Sequence, residues 1–136
     1  MVEILIEYQG DLRCESRHTP SSRTLPTDAP VDNCGKGESF SPTDLVATAL
    51  GSCILTTMGI AAQKRDLPFE RARAKVTKSM VADPKRRIGT LAVELVLPKE
   101  YDDKTREVMQ RIAHTCPVAV SLSDSIEVPI EFSWTA

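Results

Sequence analysis

No charge of one sign dominates this chain. Its 17 lysines and arginines and 19 aspartates and glutamates leave a formal net charge of −2, with the two signs mixed along the length. That balance excludes the basic footprint of a nucleic-acid binder or of a protein held on an anionic membrane. The opening residues, MVEILIEYQG, have no basic region ahead of an apolar one, so they read as a strand and not as a secretory signal. Cysteine is scarce. Cys14, Cys34, Cys53 and Cys116 are too few and too scattered for a disulfide framework. The expectation is a cytoplasmic protein in a reducing compartment, where any disulfide would be transient and functional. Internal repeats, low-complexity tracts and linkers are also missing, and 136 residues suit a single domain, 1–136. A domain of this size buries roughly two-thirds of its unfolded surface, enough for a core without covalent staples.

A second absence is local. No charged residue occurs from Leu45 to Gln63. A membrane-spanning helix needs about 20 predominantly apolar residues, but this run contains Thr48, Gly51, Ser52, Thr56, Thr57, Gly59 and Gln63 and stands between segments that read as soluble strands and helices. A buried helix is expected, with no membrane involvement. Ser41-Pro42-Thr43-Asp44 opens it: serine is a good N-cap, proline suits the first helical position, and Asp44 can close a capping box. The helix should run to about Arg65, with Pro68 just beyond. Leu45, Val46, Ala49, Leu50, Cys53, Ile54, Met58, Ile60 and Ala61 surround most of its circumference. A helix apolar all round needs cover on all sides. One small sheet covers one side, so a homodimer is expected to supply the rest.

The remaining segments alternate with a period near two or follow a helical stripe. Val2, Ile4, Ile6 and Tyr8 predict a half-buried strand, Gln9-Gly10-Asp11 a turn, and Leu12–Arg17 its hairpin partner. From Thr19 to Phe40 the chain is rich in Pro, Gly, Asp and Ser, which predicts a long loop with at most a short strand near Arg23–Leu25. Ala72, Ala74, Val76 and Met80 predict a strand, and Leu91, Val93, Leu95 and Leu97 its return after Asp83-Pro84-Lys85. Val108, Met109, Ile112, Ala113 and Cys116 form a helical stripe over roughly Asp102–Thr115, and a short turn follows Cys116-Pro117. A last strand alternates Ile126, Val128, Ile130, Phe132 and Trp134, with Pro129 marking an edge or bulge. Strands, helix, strands, helix and strand in that order predict an α+β fold.

Two cysteines have settings worth weighing. Cys53 sits mid-helix and would need a nearby arginine or histidine to ionise. Cys116 stands directly before Pro117, at a helix start where backbone amides favour a thiolate. Brought together, the two would form a redox pair, yet free cysteine is among the most buried residue types, and on spacing alone two packed core thiols are the simpler account. Cys14 and Cys34 read as incidental thiols. Cys14 with His18, and His114 with Cys116, could ligate a metal on one strand face, but neither repeats a strong zinc pattern. Gly35-Lys36-Gly37 is too short for a phosphate loop.

The stretches Phe40-Ser41-Pro42-Thr43-Asp44-Leu45 and Ala49-Leu50-Gly51-Ser52-Cys53, followed at this separation by Cys116-Pro117-Val118, resemble the OsmC/Ohr family of small thiol-dependent peroxidases, and within it the OsmC-like branch. The resemblance covers nearly the whole chain. It implies an intertwined homodimer with buried central helices flanked by antiparallel-rich sheets and active sites at the subunit interface. It implies a peroxidatic Cys53, a resolving Cys116, an organic hydroperoxide as substrate, an external dithiol as reductant, and no cofactor or metal. It also implies an arginine from the early strand–turn region beside the peroxidatic thiol, for which Arg13 is the best match, ahead of Arg17 and Arg23. The family glutamate that orients this arginine is matched here by Thr43, with Glu38 or Asp44 as candidate replacements. That departure supports an alternative expectation, a thiol-based sensing or ligand-binding protein using the same cleft.

Overall fold

The computed structural model describes residues 1–136 and divides into two compact units, Met1–Val46 and Ala47–Ala136.

The first unit is a three-stranded antiparallel sheet. Strands β1 (Ile4–Gly10), β2 (Arg13–His18) and β3 (Thr24–Asp28) lie in that order. The β1–β2 reversal requires left-handed backbone at Gly10, Asp11 and Leu12, with φ of +87°, +52° and +63°. Glycine and aspartate tolerate that region better than most residues. Strand β3 is longer than the loop composition predicted and includes Pro26, which an edge strand accommodates because one side needs no ladder donor. The alternation in β1 is present, but the expected half-burial is not. Ile4, Leu5, Ile6 and Tyr8 are 49–66% exposed, so neither face of the strand is covered within one chain.

The first turn of helix α1 (Pro42–Lys64) also belongs to this unit. Ser41 Oγ accepts the Asp44 backbone N–H at 3.1 Å, and Asp44 Oδ2 accepts the Ser41 N–H at 2.9 Å. That reciprocal pair is the capping box read from the sequence, with aspartate in place of the usual glutamate or glutamine.

In the second unit, β4 (Arg73–Val81), β5 (Arg87–Val96) and β6 (Ile130–Ser133) form a sheet in that order. Strands β4 and β5 are antiparallel, whereas β6 runs parallel to β5. Parallel neighbours need a long crossover, and helices α2 (Asp103–Ala113) and α3 (Pro117–Ser121) supply it. Asp102 caps α2 by accepting the Thr105 N–H at 2.8 Å. The core takes Leu50, Ile54 and Met58 from α1, Leu91, Val93, Leu95 and Leu97 from the β5 segment, and Met109 and Ala113 from α2, all at most 1% exposed. Helix α1 is long and apolar enough to span a bilayer by length and composition, but its Leu50–Ile54–Met58 face is core and Ile60, elsewhere on the helix, is half exposed. The fold class is α+β, as expected.

Candidate active site

The two cysteines singled out by their settings meet in the second unit. Cys116 is the N-cap of α3, with Pro117 in the first turn, and its Sγ accepts the Ala119 backbone N–H at 3.3 Å. Its thiol faces that of Cys53 within hydrogen-bonding reach. All four cysteines are free thiols.

Their environments differ. Cys116 is fully buried, whereas Cys53 is partly exposed on α1. The helix-start position of Cys116 led to the expectation of a favoured thiolate, and the structure corrects it. Burial pushes the Cys116 thiol above its ordinary range, and the neighbouring Cys53 pushes in the same direction. The Ala119 and Val118 amides pull it down but do not overcome burial, because removing the charged form from water outweighs two amide dipoles at the mouth of a five-residue helix. The pair therefore comprises a partly exposed cysteine and an enclosed one whose burial favours the neutral thiol.

Arg13 lies in the first unit, at the start of β2. Its Nη2 bonds Glu38 Oε2 and stands 3.6 Å from Asp28 Oδ2. Both carboxylates raise the guanidinium above its ordinary value, Glu38 most strongly. Arg17 and Arg23 are exposed. Of the two candidate replacements for the missing glutamate, Glu38 pairs with Arg13, while Asp44 is engaged in the helix cap. Thr43 Oγ1 lies 3.2 Å from Ser41 Oγ.

Asp28 is the residue that sequence reading missed. It was one acidic residue in a Pro- and Ser-rich stretch, 15 positions from Arg13. Only the β2–β3 register, which pairs Arg13 with Asp28, makes them neighbours.

The metal candidates separate into ordinary contacts. His18 Nδ1 lies 2.6 Å from Ser21 Oγ, and the His114 ring packs at 6.3 Å from Phe132. No three His, Cys, Asp or Glu side chains converge as a potential metal site. Cys14 is partly exposed in β2 and Cys34 is exposed after a short 3-10 turn.

Comparison with known proteins agrees with this fold. The family model described as OsmC-like protein matches residues 35–131. A solved structure from Psychrobacter arcticus 273-4, of a protein assigned to the osmotic-stress and detoxification response, superposes with a TM-score of 0.91. It is 45% identical and the match covers 97% of this chain and 96% of that one. An organic hydroperoxide resistance protein OsmC from Legionella pneumophila superposes at 0.80 with 16% identity, covering 98% and 96% of the two chains. One from Elizabethkingia anophelis, with thiocyanate bound, superposes at 0.77 with 12% identity, covering 99% and 96%. At those identities the last two show the fold alone. The search of curated proteins gave no match. With a family model spanning most of its length and a relative 45% identical over nearly all of it, the chain belongs to the OsmC-like family.

Proposed function

We propose that this protein is a thiol peroxidase that reduces organic hydroperoxides, with Cys53 as the attacking sulfur and Cys116 as the resolving one. The observation that carries this reading is the contact between a partly exposed cysteine on α1 and a buried one at the start of α3. The substrate class is taken from the family resemblance; neighbours of the same fold carry the name organic hydroperoxide resistance protein.

The chemistry follows from that asymmetry. The thiolate is the nucleophile, so Cys53 must ionise, and a cation beside it favours that form. The family resemblance, and no contact within this chain, proposes Arg13 for this role. The Cys53 thiolate attacks one peroxide oxygen and the O–O bond breaks. The alcohol leaves with a proton, and Cys53 becomes a sulfenic acid. Cys116, kept protonated by burial until then, releases its proton, attacks the Cys53 sulfur and expels water, leaving a disulfide. An external dithiol reduces it by exchange, becoming a disulfide itself. Keeping the resolving thiol enclosed and neutral limits its own reaction with peroxide.

The active form is a homodimer. The uncovered apolar residues of β1 and the half-exposed Ile60 of α1 are surfaces that a second copy would bury.

The test is peroxide consumption under a supplied dithiol. Cys53→Ser is expected to abolish turnover while leaving the fold intact, and full activity in that variant would refute the mechanism. Thr43, where the family glutamate would stand, favours a second reading as a thiol sensor or ligand-binding protein. Stopped-flow with a bulky hydroperoxide separates the two: a sensor loses thiol stoichiometrically without turning over.

A further inference from the structure

The Cys53 and Cys116 thiols can also act without being oxidised. Both are free, and they face each other within hydrogen-bonding reach. Two thiols so placed form a soft, two-point donor set. What they can hold depends on the spacing of the sulfurs, on the groups beside them and on the way in.

The spacing is fixed from both sides. Cys53 projects from a helix whose Leu50–Ile54–Met58 face is fully buried. Cys116 caps α3, and its sulfur accepts the Ala119 N–H at 3.3 Å. A linear two-coordinate cation such as mercury(II) needs its sulfurs on opposite sides and well apart. A tetrahedral cation such as zinc needs four ligands, and no third His, Cys, Asp or Glu side chain joins the two thiols. Trivalent arsenic is pyramidal, with bond angles close to a right angle. Two sulfurs on one arsenic therefore stand nearly in contact, and the third bond needs no protein group.

The way in selects further. The exposed residues flanking Cys53 along α1 are Ala49, Ser52, Thr56 and Ile60. The Ser52 hydroxyl is turned back onto the Thr48 carbonyl at 2.7 Å. No charged residue occurs on this helix from Leu45 to Gln63. Such an approach offers a divalent cation nothing in exchange for its water, and it suits an uncharged molecule. Arsenous acid and its mono-organic derivatives are uncharged at neutral pH.

We infer that the Cys53–Cys116 pair is a binding site for neutral trivalent arsenicals of the form R–As(OH)2, in which R is an organic group or a third hydroxyl. The partly exposed Cys53 displaces one hydroxyl, and Cys116 displaces the second in an intramolecular step. Each As–O bond is replaced by an As–S bond, and each thiol proton leaves with the hydroxyl as water. Arsenic stays trivalent and neither sulfur is oxidised, so no co-reactant is needed. The inference rests on the contact between the two thiols and not on the peroxidase reading.

The experiment uses the full reduced chain and phenylarsine oxide, which hydrates in water to the R–As(OH)2 form. Wild type is expected to take up one arsenical per chain by native mass spectrometry. Bound arsenical should protect the Cys53 and Cys116 peptides from N-ethylmaleimide while Cys14 and Cys34 stay reactive. Cys53→Ser and Cys116→Ser are each expected to weaken binding at least about a hundredfold, as when a two-point attachment becomes a one-point one. The double variant Cys14→Ser/Cys34→Ser should bind as wild type does. Protection of Cys14 or Cys34 in place of the pair overturns the assignment, and that readout is taken on wild type, so it does not depend on any variant folding. Wild-type affinity in Cys53→Ser or Cys116→Ser overturns it as well. Cadmium(II) protecting the pair at lower concentration than the arsenical would overturn the choice of ligand. Wild type that consumes peroxide but takes up no arsenical sinks this inference alone, whereas peroxide consumption persisting in Cys53→Ser removes only the peroxidase reading.

Discussion

Gly51 offers a test of how α1 is seated behind the cysteine pair. It lies two residues before Cys53, buried against β4. A methyl group added there would meet Val76 Cγ2 at 2.9 Å and Ala74 Cβ at 3.9 Å. The first distance is closer than real carbon atoms approach, and valine cannot fold out of the way because its χ1 is stiff. Gly51→Ala therefore pits two effects against each other. Replacing glycine inside a helix gains about 0.5–1 kcal/mol, whereas overpacking a close contact costs about 1–3 kcal/mol. The contact is below tolerance and its neighbour is rigid, so the cost wins and a net loss of about 1–2 kcal/mol is expected. For a chain of this size that is roughly 4–8 °C in Tm at fixed protein concentration. The strain can also be relieved by lifting α1 from β4, which would carry Cys53 away from Cys116 and slow disulfide formation after oxidation. Urea denaturation of Gly51→Ala, Val76→Ala and the double variant checks the argument. Removing the Val76 methyl groups opens the space, so the double variant should be more stable than the sum of the two single changes predicts. A Gly51→Ala protein more stable than wild type, or strict additivity in the cycle, would show that the backbone approach at Gly51 does not limit the packing.

Two further outcomes follow from the geometry. Cys116 has a folded-state thiol pKa raised by burial, so above the unfolded thiol value of about 8.5 the unfolded chain loses this proton first. Native protein then holds more protons than unfolded protein, and stability falls as pH rises through that window. Urea titrations from pH 7 to 10 under reducing conditions should show this decline, and Cys116→Ala should lack that share of it; identical slopes would contradict the burial argument. The uncovered β1 face predicts a dimer by sedimentation at low micromolar concentration, shifted towards monomer by Ile6→Lys; a wild-type monomer would remove the dimeric reading.

The sequence was most legible where the determinants are local. The α1 cap, the stripe of α2, the turn at Cys116-Pro117 and the alternation in β5 each depend on residues within a few positions of one another, and each formed as read. Strand β3 was underestimated because Pro26 argues against a strand unless it is known to be an edge. The Cys53 and Cys116 motifs identified the pair, but not its electrostatics. A helix start lowers a thiol pKa in a sequence argument, and only the packing around Cys116 shows that desolvation prevails. The same limit applies to Arg13. Thr43 signalled that a carboxylate was missing, and the residues that hold the guanidinium, Asp28 and Glu38, lie 15 and 25 positions away. Local periodicity and capping were enough to specify the elements, and the motifs around Cys53 and Cys116 carried the resemblance to the family. Which charges face each other, and which sulfur is enclosed, depended on strand register and burial, because Coulomb and desolvation energies are set by distance and dielectric in space, not by separation along the chain.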